Sequence, residues 1–196
     1  MNKILGIIIV VLAVALLIIE QSSPEAFLDI YGLGVVIAAP FGVLFFSYGD
    51  HVFSLFRFIT QPIESQKDYL LAVSFFDSLA NTFMAVGVTS TLIGHIAIVT
   101  SIDEFESLMP ATGVSYLTTF YGFIIARLLI EPMKQNIVRK AKLSNVNAAV
   151  EQHLMANNDI ARRYVTLGLS LSVVSTLMLV VLYVMEVINS SPLSLN

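Results

Sequence analysis

The chain has 196 residues, of which 57% are hydrophobic and 12% charged, with a net charge of −4 and a mean hydropathy of +0.85. A soluble domain carries roughly a quarter charged residues, so this composition indicates an integral membrane protein. The small acidic excess gives no reason to expect nucleic acid as a partner, and the absence of cysteine excludes disulfides and thiolate metal sites.

Five apolar stretches are long enough to cross the hydrocarbon core of a bilayer, which needs about 20 helical residues. We predict spans at about 4–19, 30–48, 79–100, 111–130 and 164–188. The first is the shortest, and because no small-x-small cleavage site follows it, we interpret it as an uncleaved span. The sequence therefore predicts an all-α membrane protein with five transmembrane helices in a single membrane domain, 1–196.

Basic residues lie on one predicted side of the membrane. All ten Lys and Arg belong to the N-terminus, to the segment between spans two and three, or to the end of span four and the segment after it. The opposite side has no Lys or Arg and carries seven carboxylates: Glu20, Glu25, Asp29, Asp103, Glu104, Glu106 and Glu186. By the positive-inside rule the N-terminus is cytoplasmic and the C-terminus periplasmic.

Two cytoplasmic segments are predicted, 50–72 and 133–163. The first has room for a short interfacial helix with three apolar side chains against the bilayer: Phe53, Phe56 and Ile59. The second is a cytoplasmic extension of span four whose basic residues lie near lipid headgroups, and a specific lipid site and an ordinary solvated helix both stay open. The tail, 189–196, is predicted to be disordered.

Small residues recur at about four-residue spacing on spans two and five, which is typical of close helix contacts in membranes. Span two carries Gly34, Ala38 and Gly42; span five carries Gly168, Ser172 and either Ser175 or Thr176. We predict that both sets serve helix packing, and that Pro40 kinks span two.

Spans three and four combine small residues with hydroxyls. On span three, Gly87, Thr91 and Gly94 share one helical face, with Ser90 beside it. Span four repeats the pattern in four residues, extended outward by Thr112: Ser115, Thr119, Gly122 and Ala126. Such a surface is uncharged and able to hydrogen-bond. Either its hydroxyls make hydrogen bonds within the helices and the surface only packs, or the surface lines a path for a polar species.

No Asp or Glu lies in the middle of any predicted span, although a proton relay normally has a titratable group within the membrane. His95 is the single candidate near mid-membrane, either as a packed or headgroup-facing residue or as a polar gating residue. The gating role is also open to three other residues: Tyr121, Arg127 and Glu131. Either the protein moves no ions, or another subunit supplies the carboxylate. Arg127 and Glu131 are spaced i, i+4 and are predicted to pair at the cytoplasmic mouth of span four.

Soluble enzymology finds no support in the sequence. It has no phosphate loop, nucleophile elbow, zinc-binding helix signature or paired carboxylates. We predict that the protein is not an enzyme and uses no metal or redox cofactor.

The order of these motifs resembles the MotA/TolQ/ExbB family of ion-driven stator subunits. A short span, the turn Phe27-Leu28-Asp29 and a glycine-bearing second span with Gly42 resemble the opening of flagellar MotA. The family pattern G-x-x-G-T-x-x-G appears as 87–94, departing at Ser90. Its span-four pattern, P-x6-L-T-T-x-Y-G, and its next proline appear in a second set of residues: Pro110, Leu117, Thr118, Thr119, Tyr121, Gly122 and Pro132. The resemblance covers about residues 1–135.

This resemblance implies a homopentamer around a dimer of a single-span partner like MotB, TolR or ExbD, which carries an aspartate in its membrane helix. Spans three and four then line a central chamber, with Thr91 facing the ion path and Thr119 opposite. The hydroxyls of Ser90, Ser115 and Thr118 are expected to line the same path. The aspartate missing from this chain is then expected on the partner.

Four departures from the family are visible. The segment between spans two and three has only about 30 residues, whereas MotA-like proteins carry there a large cytoplasmic domain whose charged residues push the rotor. Val114 stands where the ExbB and TolQ branch often has glutamate, which favours the MotA-like branch. His95 replaces an apolar residue, and span five lies outside the family pattern.

The sequence thus predicts a MotA-like subunit of an ion-driven motor or channel in a bacterial inner membrane, in contact with lipids. The alternative is a non-conducting homo-oligomeric scaffold, in which the small faces only pack. A small solute transporter is a weaker third possibility, because such proteins usually show inverted repeats with broken helices.

Overall fold

The structure is a computed structural model that describes residues 2–20, 24–63, 65–101, 108–143 and 149–190. Its regular structure in these ranges is entirely helical. The α-helices are α1 (Asn2–Ile19), α2 (Ile30–Tyr48), α3 (Val52–Leu55), α4 (Gln66–Ser101), α5 (Leu108–Ile124), α6 (Glu131–Leu143) and α7 (Ala149–Ser190). Short 3₁₀ turns are Pro24–Phe27, Gly49–His51 and Phe56–Ile59, and a π turn, Ile125–Ile130, joins α5 to α6.

Four helical stretches of the described chain are long and apolar enough to cross a membrane: Pro24–Ile59, Gln66–Thr100, Pro110–Ala141 and Thr166–Met185. They contain predicted spans two to four and the central part of span five, and they make this a multi-pass membrane protein. Helix α1 coincides with the predicted first span, whose crossing of the membrane stays a prediction.

Two helices extend well beyond a bilayer. At 1.5 Å per residue, the 36 residues of α4 reach about 54 Å, against a hydrocarbon core of about 30 Å. Helix α4 therefore includes the end of the segment 50–72, which the sequence placed outside the spans. The helical path of span four continues through α6, as predicted, and α7 takes up the end of the segment 133–163.

An aromatic cluster forms the core at the end where α4 begins. Phe75 and Phe76 are fully buried and pack edge-to-face, with ring centroids 5.2 Å apart. Phe56 packs edge-to-face on both, at 5.3 and 5.8 Å, so this half-buried ring packs on the core, and its predicted position against the bilayer stays a prediction. The 3₁₀ turn that starts at Phe56 aims this ring at α4, whereas Phe53 is 66% exposed.

Pro132 is the second residue after the π turn. Proline has no N–H to offer the carbonyl four residues before it, and its ring crowds that carbonyl. The Glu131 N–H instead reaches back five residues to the Ala126 carbonyl, which widens the turn. Helix α1 lies beside this turn, because Val14 and Ile18 line an apolar groove of about 300 Å³ with Leu128.

Lys140 on α6 holds the chain where it leaves the 3₁₀ turn Phe56–Ile59, before α4 begins. Its Nζ donates to the carbonyl oxygens of Ile59 at 2.7 Å and Gln61 at 3.1 Å. The Ile59 carbonyl ends a 3₁₀ turn and the Gln61 carbonyl follows it, so the lysine acts as a cap that ties α6 to the segment before α4.

Some predictions fall outside the described residues. These are the outer-loop carboxylates Asp103, Glu104 and Glu106, and the tail from residue 191 onward.

Candidate functional site

Helices α4 and α5 approach each other through glycines. A Cβ on Gly87 would lie 2.7 Å from the Thr118 carbonyl oxygen, and one on Gly122 would lie 2.6 Å from the Phe83 carbonyl oxygen. Gly94 is in the same position relative to the Ser115 Cβ, at 2.8 Å. Because no side chain fits at these points, the two backbones can meet closely enough for short polar side chains to bond across the contact.

Three threonine hydroxyls meet at this contact, which we call the threonine cluster: Thr91, Thr118 and Thr119. The Thr91 Oγ1 lies 2.9 Å from the Thr118 Oγ1 and 2.7 Å from the Thr119 Oγ1. It also lies 2.9 Å from the Ser115 carbonyl oxygen and 3.2 Å from the Gly87 carbonyl oxygen. Thr91 is completely buried, so its hydroxyl is satisfied by the α4–α5 pair itself.

The cluster is neutral and rich in oxygen acceptors. Thr118 and Thr119 both point hydroxyls at the Gly87 carbonyl, at 3.2 and 3.3 Å. Each hydroxyl has one proton and two lone pairs, so the protons can be redistributed among these oxygens. Thr119 is only half-buried, whereas Thr91 and Thr118 are buried. The cluster therefore opens to its surroundings at Thr119.

Other predicted path residues stand apart from this cluster. The Ser115 hydroxyl donates to the Thr112 carbonyl at 2.7 Å, so only the Ser115 carbonyl belongs to the cluster. Ser90 is half-buried and makes no hydrogen bond to the threonines in the described part of the chain. Pro110 lies exposed in the first turn of α5, where a missing N–H costs nothing.

In the described part of the chain the small stripe of α2 meets no other helix, so its predicted packing role stays a prediction. A Cβ added to Gly34 or Gly42 would meet no atom within 4 Å, and Ala38 is exposed. Helix α2 turns a larger face inward instead, formed by Val36, Pro40 and Leu44. On α7 the prediction is confirmed for Gly168, whose added Cβ would lie 2.7 Å from Val88 Cγ1.

Tyr121 connects two of the motifs that resemble the family, the span-four motif and the turn Phe27-Leu28-Asp29. Its hydroxyl donates to the Phe27 carbonyl at 2.5 Å and accepts from the Asp29 N–H at 2.9 Å. Asp29 in turn caps α2, because its carboxylate accepts from the Gly32 N–H at 3.0 Å. The tyrosine of span four therefore holds the turn that begins span two, a role the sequence pattern does not reveal.

The predicted ion pair between Arg127 and Glu131 is absent among the described residues. The π turn spaces partners five residues apart, so the i, i+4 alignment expected of an α-helix is lost. Glu131 pairs instead with Lys134, at 2.9 Å, and Lys134 also contacts Asp77 at 2.8 Å. Arg127, Glu131 and Asp77 line one cavity of about 170 Å³ between α4, the π turn and α7.

His95 lies in a separate place, between α4, α5 and α7. It is 2% exposed, and its Nδ1 is 3.0 Å from the Ser175 Oγ on α7. The ring packs edge-to-face on Tyr116, with centroids 5.3 Å apart. Tyr116 in turn bonds to the Thr176 hydroxyl and donates to the Ser172 carbonyl at 3.2 Å. These contacts fix the fifth predicted span on the α4–α5 hairpin.

Fold and site together define a multi-pass helical membrane protein with an uncharged hydroxyl cluster between two glycine-packed helices. No family model matches the chain. Motility protein A of Aquifex aeolicus is 36% identical over 70 residues, which are 36% of this chain and 27% of that protein. Motility protein A of Borreliella burgdorferi is 28% identical over 88 residues, or 45% of this chain and 33% of the relative.

The chemotaxis protein PomA of Vibrio alginolyticus is 26% identical over 72 residues, which are 37% of this chain and 28% of PomA. These matches, at low identity and over part of each chain, confirm the resemblance to the MotA-like stator family. The matched segments span no more than 33% of any of these three relatives.

Proposed function

We propose that this chain is a MotA-like subunit of a heteromeric ion-driven motor or channel in a bacterial inner membrane. The observation that carries the proposal is the threonine cluster. The two motifs that resemble the family, 87–94 and 110–122, are separate in sequence yet meet face to face. The similarity to proteins named for motility supports the same assignment.

In this proposal five copies surround a dimer of a single-span partner that carries a membrane aspartate. The cluster supplies neutral oxygens, and a cation that crosses a membrane also needs a negative group close to its path. The partner's carboxylate approaches from the side of Thr119, the half-buried member of the cluster. Helix α1 is the first of five spans, the N-terminus is cytoplasmic, and the C-terminus is periplasmic.

Copurification and ion flux test the proposal together. Expressed with its neighbouring genes, the chain is expected to purify with a small protein that has one apolar span and an aspartate within it. Reconstituted in vesicles, the complex is expected to conduct ions. Thr119→Val should lower the flux and Thr119→Ser should keep it close to wild type, because valine lacks the hydroxyl group that serine retains.

Thr100→Val is the matched control, since Thr100 is exposed on the same helix as Thr91 and outside the cluster. Wild-type flux in Thr119→Val would remove the threonine cluster from the ion path. Purification of the chain without any single-span partner would remove the heteromeric assembly.

A non-conducting homo-oligomeric scaffold is the second candidate. It is favoured by the complete burial of Thr91, whose hydroxyl finds all of its partners within one chain. A scaffold is expected to form a stable oligomer alone and to leave vesicles impermeable to protons and sodium.

A further inference from the structure

Two departures from the family pattern, His95 and the fifth span, meet at one place in the structure. His95 stands where the family usually has an apolar residue, and its Nδ1 bonds to Ser175 on α7. An apolar residue at this position would not offer the Ser175 hydroxyl this partner. The imidazole and the extra helix therefore form a single feature, separate from the threonine cluster.

Two polar atoms at the contact of His95 with α7 have no hydrogen-bond partner in the described part of the chain. The His95 Nε2 and the Ser172 Oγ are both buried and have no hydrogen-bond partner among the described protein groups. The residues are 2% and 1% exposed, so bulk solvent does not satisfy them. A buried polar atom without a partner costs about 1–3 kcal/mol, which makes two of them together a sign of a bound molecule.

Both residues belong to the same contact between α4, α5 and α7. Ser172 and Ser175 are three residues apart on α7, so they lie on one helical face. That face is turned to α4 and α5, because Ser175 bonds to His95 and the Ser172 carbonyl accepts from Tyr116. Tyr116 packs against the His95 ring, which closes the region from the side of α5.

The chemistry of the lining selects a small neutral molecule. The groups that contact His95 in the described structure are a hydroxyl and a phenol, on Ser175 and Tyr116. Tyr116 in turn bonds to the Thr176 hydroxyl and the Ser172 carbonyl, so the groups linked in this way are all uncharged. A cation would have no compensating charge here, and an anion would have no basic partner. Water donates and accepts, so it fits either tautomer of His95.

We propose that His95 and Ser172 form a water-binding site between α4, α5 and α7, in which a buried water bridges the His95 Nε2 and the Ser172 Oγ. The water completes the polar attachment of the fifth helix to the hairpin. The site is independent of the proposed function, because a scaffold would hold its fifth helix in the same way.

Solid-state NMR of the full chain in lipid bilayers, labelled with ¹⁵N-histidine, tests this site. His95→Gln assigns the His95 signals by their disappearance. Magnetisation is expected to pass from water protons to the His95 Nε2. Ser172→Ala should abolish or strongly reduce this transfer, whereas Ser170→Ala, an exposed serine on the same helix, should leave it unchanged.

Three outcomes would overturn the site: no transfer from water in the wild type, equal transfer in Ser172→Ala, or His95 signals that shift on titration with sodium chloride. If Ser172→Ala does not fold, a high-resolution structure of the wild-type protein decides, by density between the His95 Nε2 and the Ser172 Oγ. Direct contact of these two atoms there would also refute the water.

Discussion

The hydroxyl oxygens of Thr91 and Thr119 lie 2.7 Å apart across the contact between α4 and α5. One residue comes from each of the two motifs that carry the resemblance to stator proteins. The Thr91 hydroxyl has four oxygens within hydrogen-bonding distance, which is more than its single proton and two lone pairs can serve at once. The contact is thus a shared network rather than a set of fixed pairs.

Removing the Thr91 hydroxyl is expected to weaken this network. Thr91→Val keeps the shape of the side chain but leaves buried oxygens short of a donor, so the free energy of unfolding should fall by about 1–3 kcal/mol. Thr91→Ser should stay close to wild type. Unfolding in detergent micelles measures both, with Thr100→Val as the exposed control. Equal stability of Thr91→Val and wild type would show that the network does not hold the hairpin together.

Two glycines of α5 are expected to respond in opposite directions to alanine. At Gly122 the added Cβ would lie 2.6 Å from a backbone oxygen, which must move, so Gly122→Ala should destabilise the protein by about 1–3 kcal/mol. Gly113 has open space around it, and Gly113→Ala should raise helix stability by up to about 1 kcal/mol. Thermal unfolding of both variants checks the sign, and a matching loss in both would rule out the glycine contact as the cause.

Tyr121→Phe is expected to loosen the turn before α2. The Phe27 carbonyl and the Asp29 N–H both lose the phenol, while the ring keeps its packing. Hydrogen exchange at the Asp29 amide should become faster, and exchange in α4 should not change. Tyr31→Phe is the control, because Tyr31 is 89% exposed. Unchanged exchange at Asp29 would mean that the turn is held without Tyr121.

The sequence was informative wherever a pattern repeats along one helix. Apolar length predicted spans two to five, and the spacing of glycine and threonine predicted which faces of spans three and four carry the small and hydroxyl residues. A pattern on one helix does not say which of two faces a neighbour takes. The inward face of α2 therefore turned out to be Val36, Pro40 and Leu44 rather than the glycine stripe.

Contacts between segments far apart in the chain could not be predicted from the sequence, because the pattern of one segment does not show which distant residue it contacts. Arg127 and Glu131 have ideal spacing for an ion pair in a regular helix, but Pro132 widens the turn between them. Tyr121 and Phe27 lie 94 residues apart, and the pairing of Lys134 with Asp77 joins two helices. The identity of one residue does not indicate which distant residue it will contact. The departure from the family at His95, by contrast, did mark a place where an additional helix, α7, packs.

The orientation can be checked with single cysteines, because the natural chain has none. Glu25→Cys and Lys67→Cys both place the thiol at an exposed position, on opposite predicted sides of the membrane. A maleimide that does not cross membranes is expected to label Glu25→Cys in spheroplasts. Lys67→Cys should react only after permeabilisation, and the reverse pattern would invert the proposed topology.

Lys134 lies between two carboxylates and joins α6 to α4 through Asp77. The side chains are only 11% and 19% exposed, so solvent screens this pair weakly. Lys134→Met should lower the free energy of unfolding by about 1.5–3 kcal/mol, since both carboxylates lose a charged hydrogen-bond donor. The exposed Lys67→Met is the matched control. Adding Asp77→Asn to Lys134→Met should recover part of the loss, because the amide does not leave a buried negative charge. A double variant as unstable as the sum of the single variants would show that the two residues act independently, and that another contact joins α6 to α4.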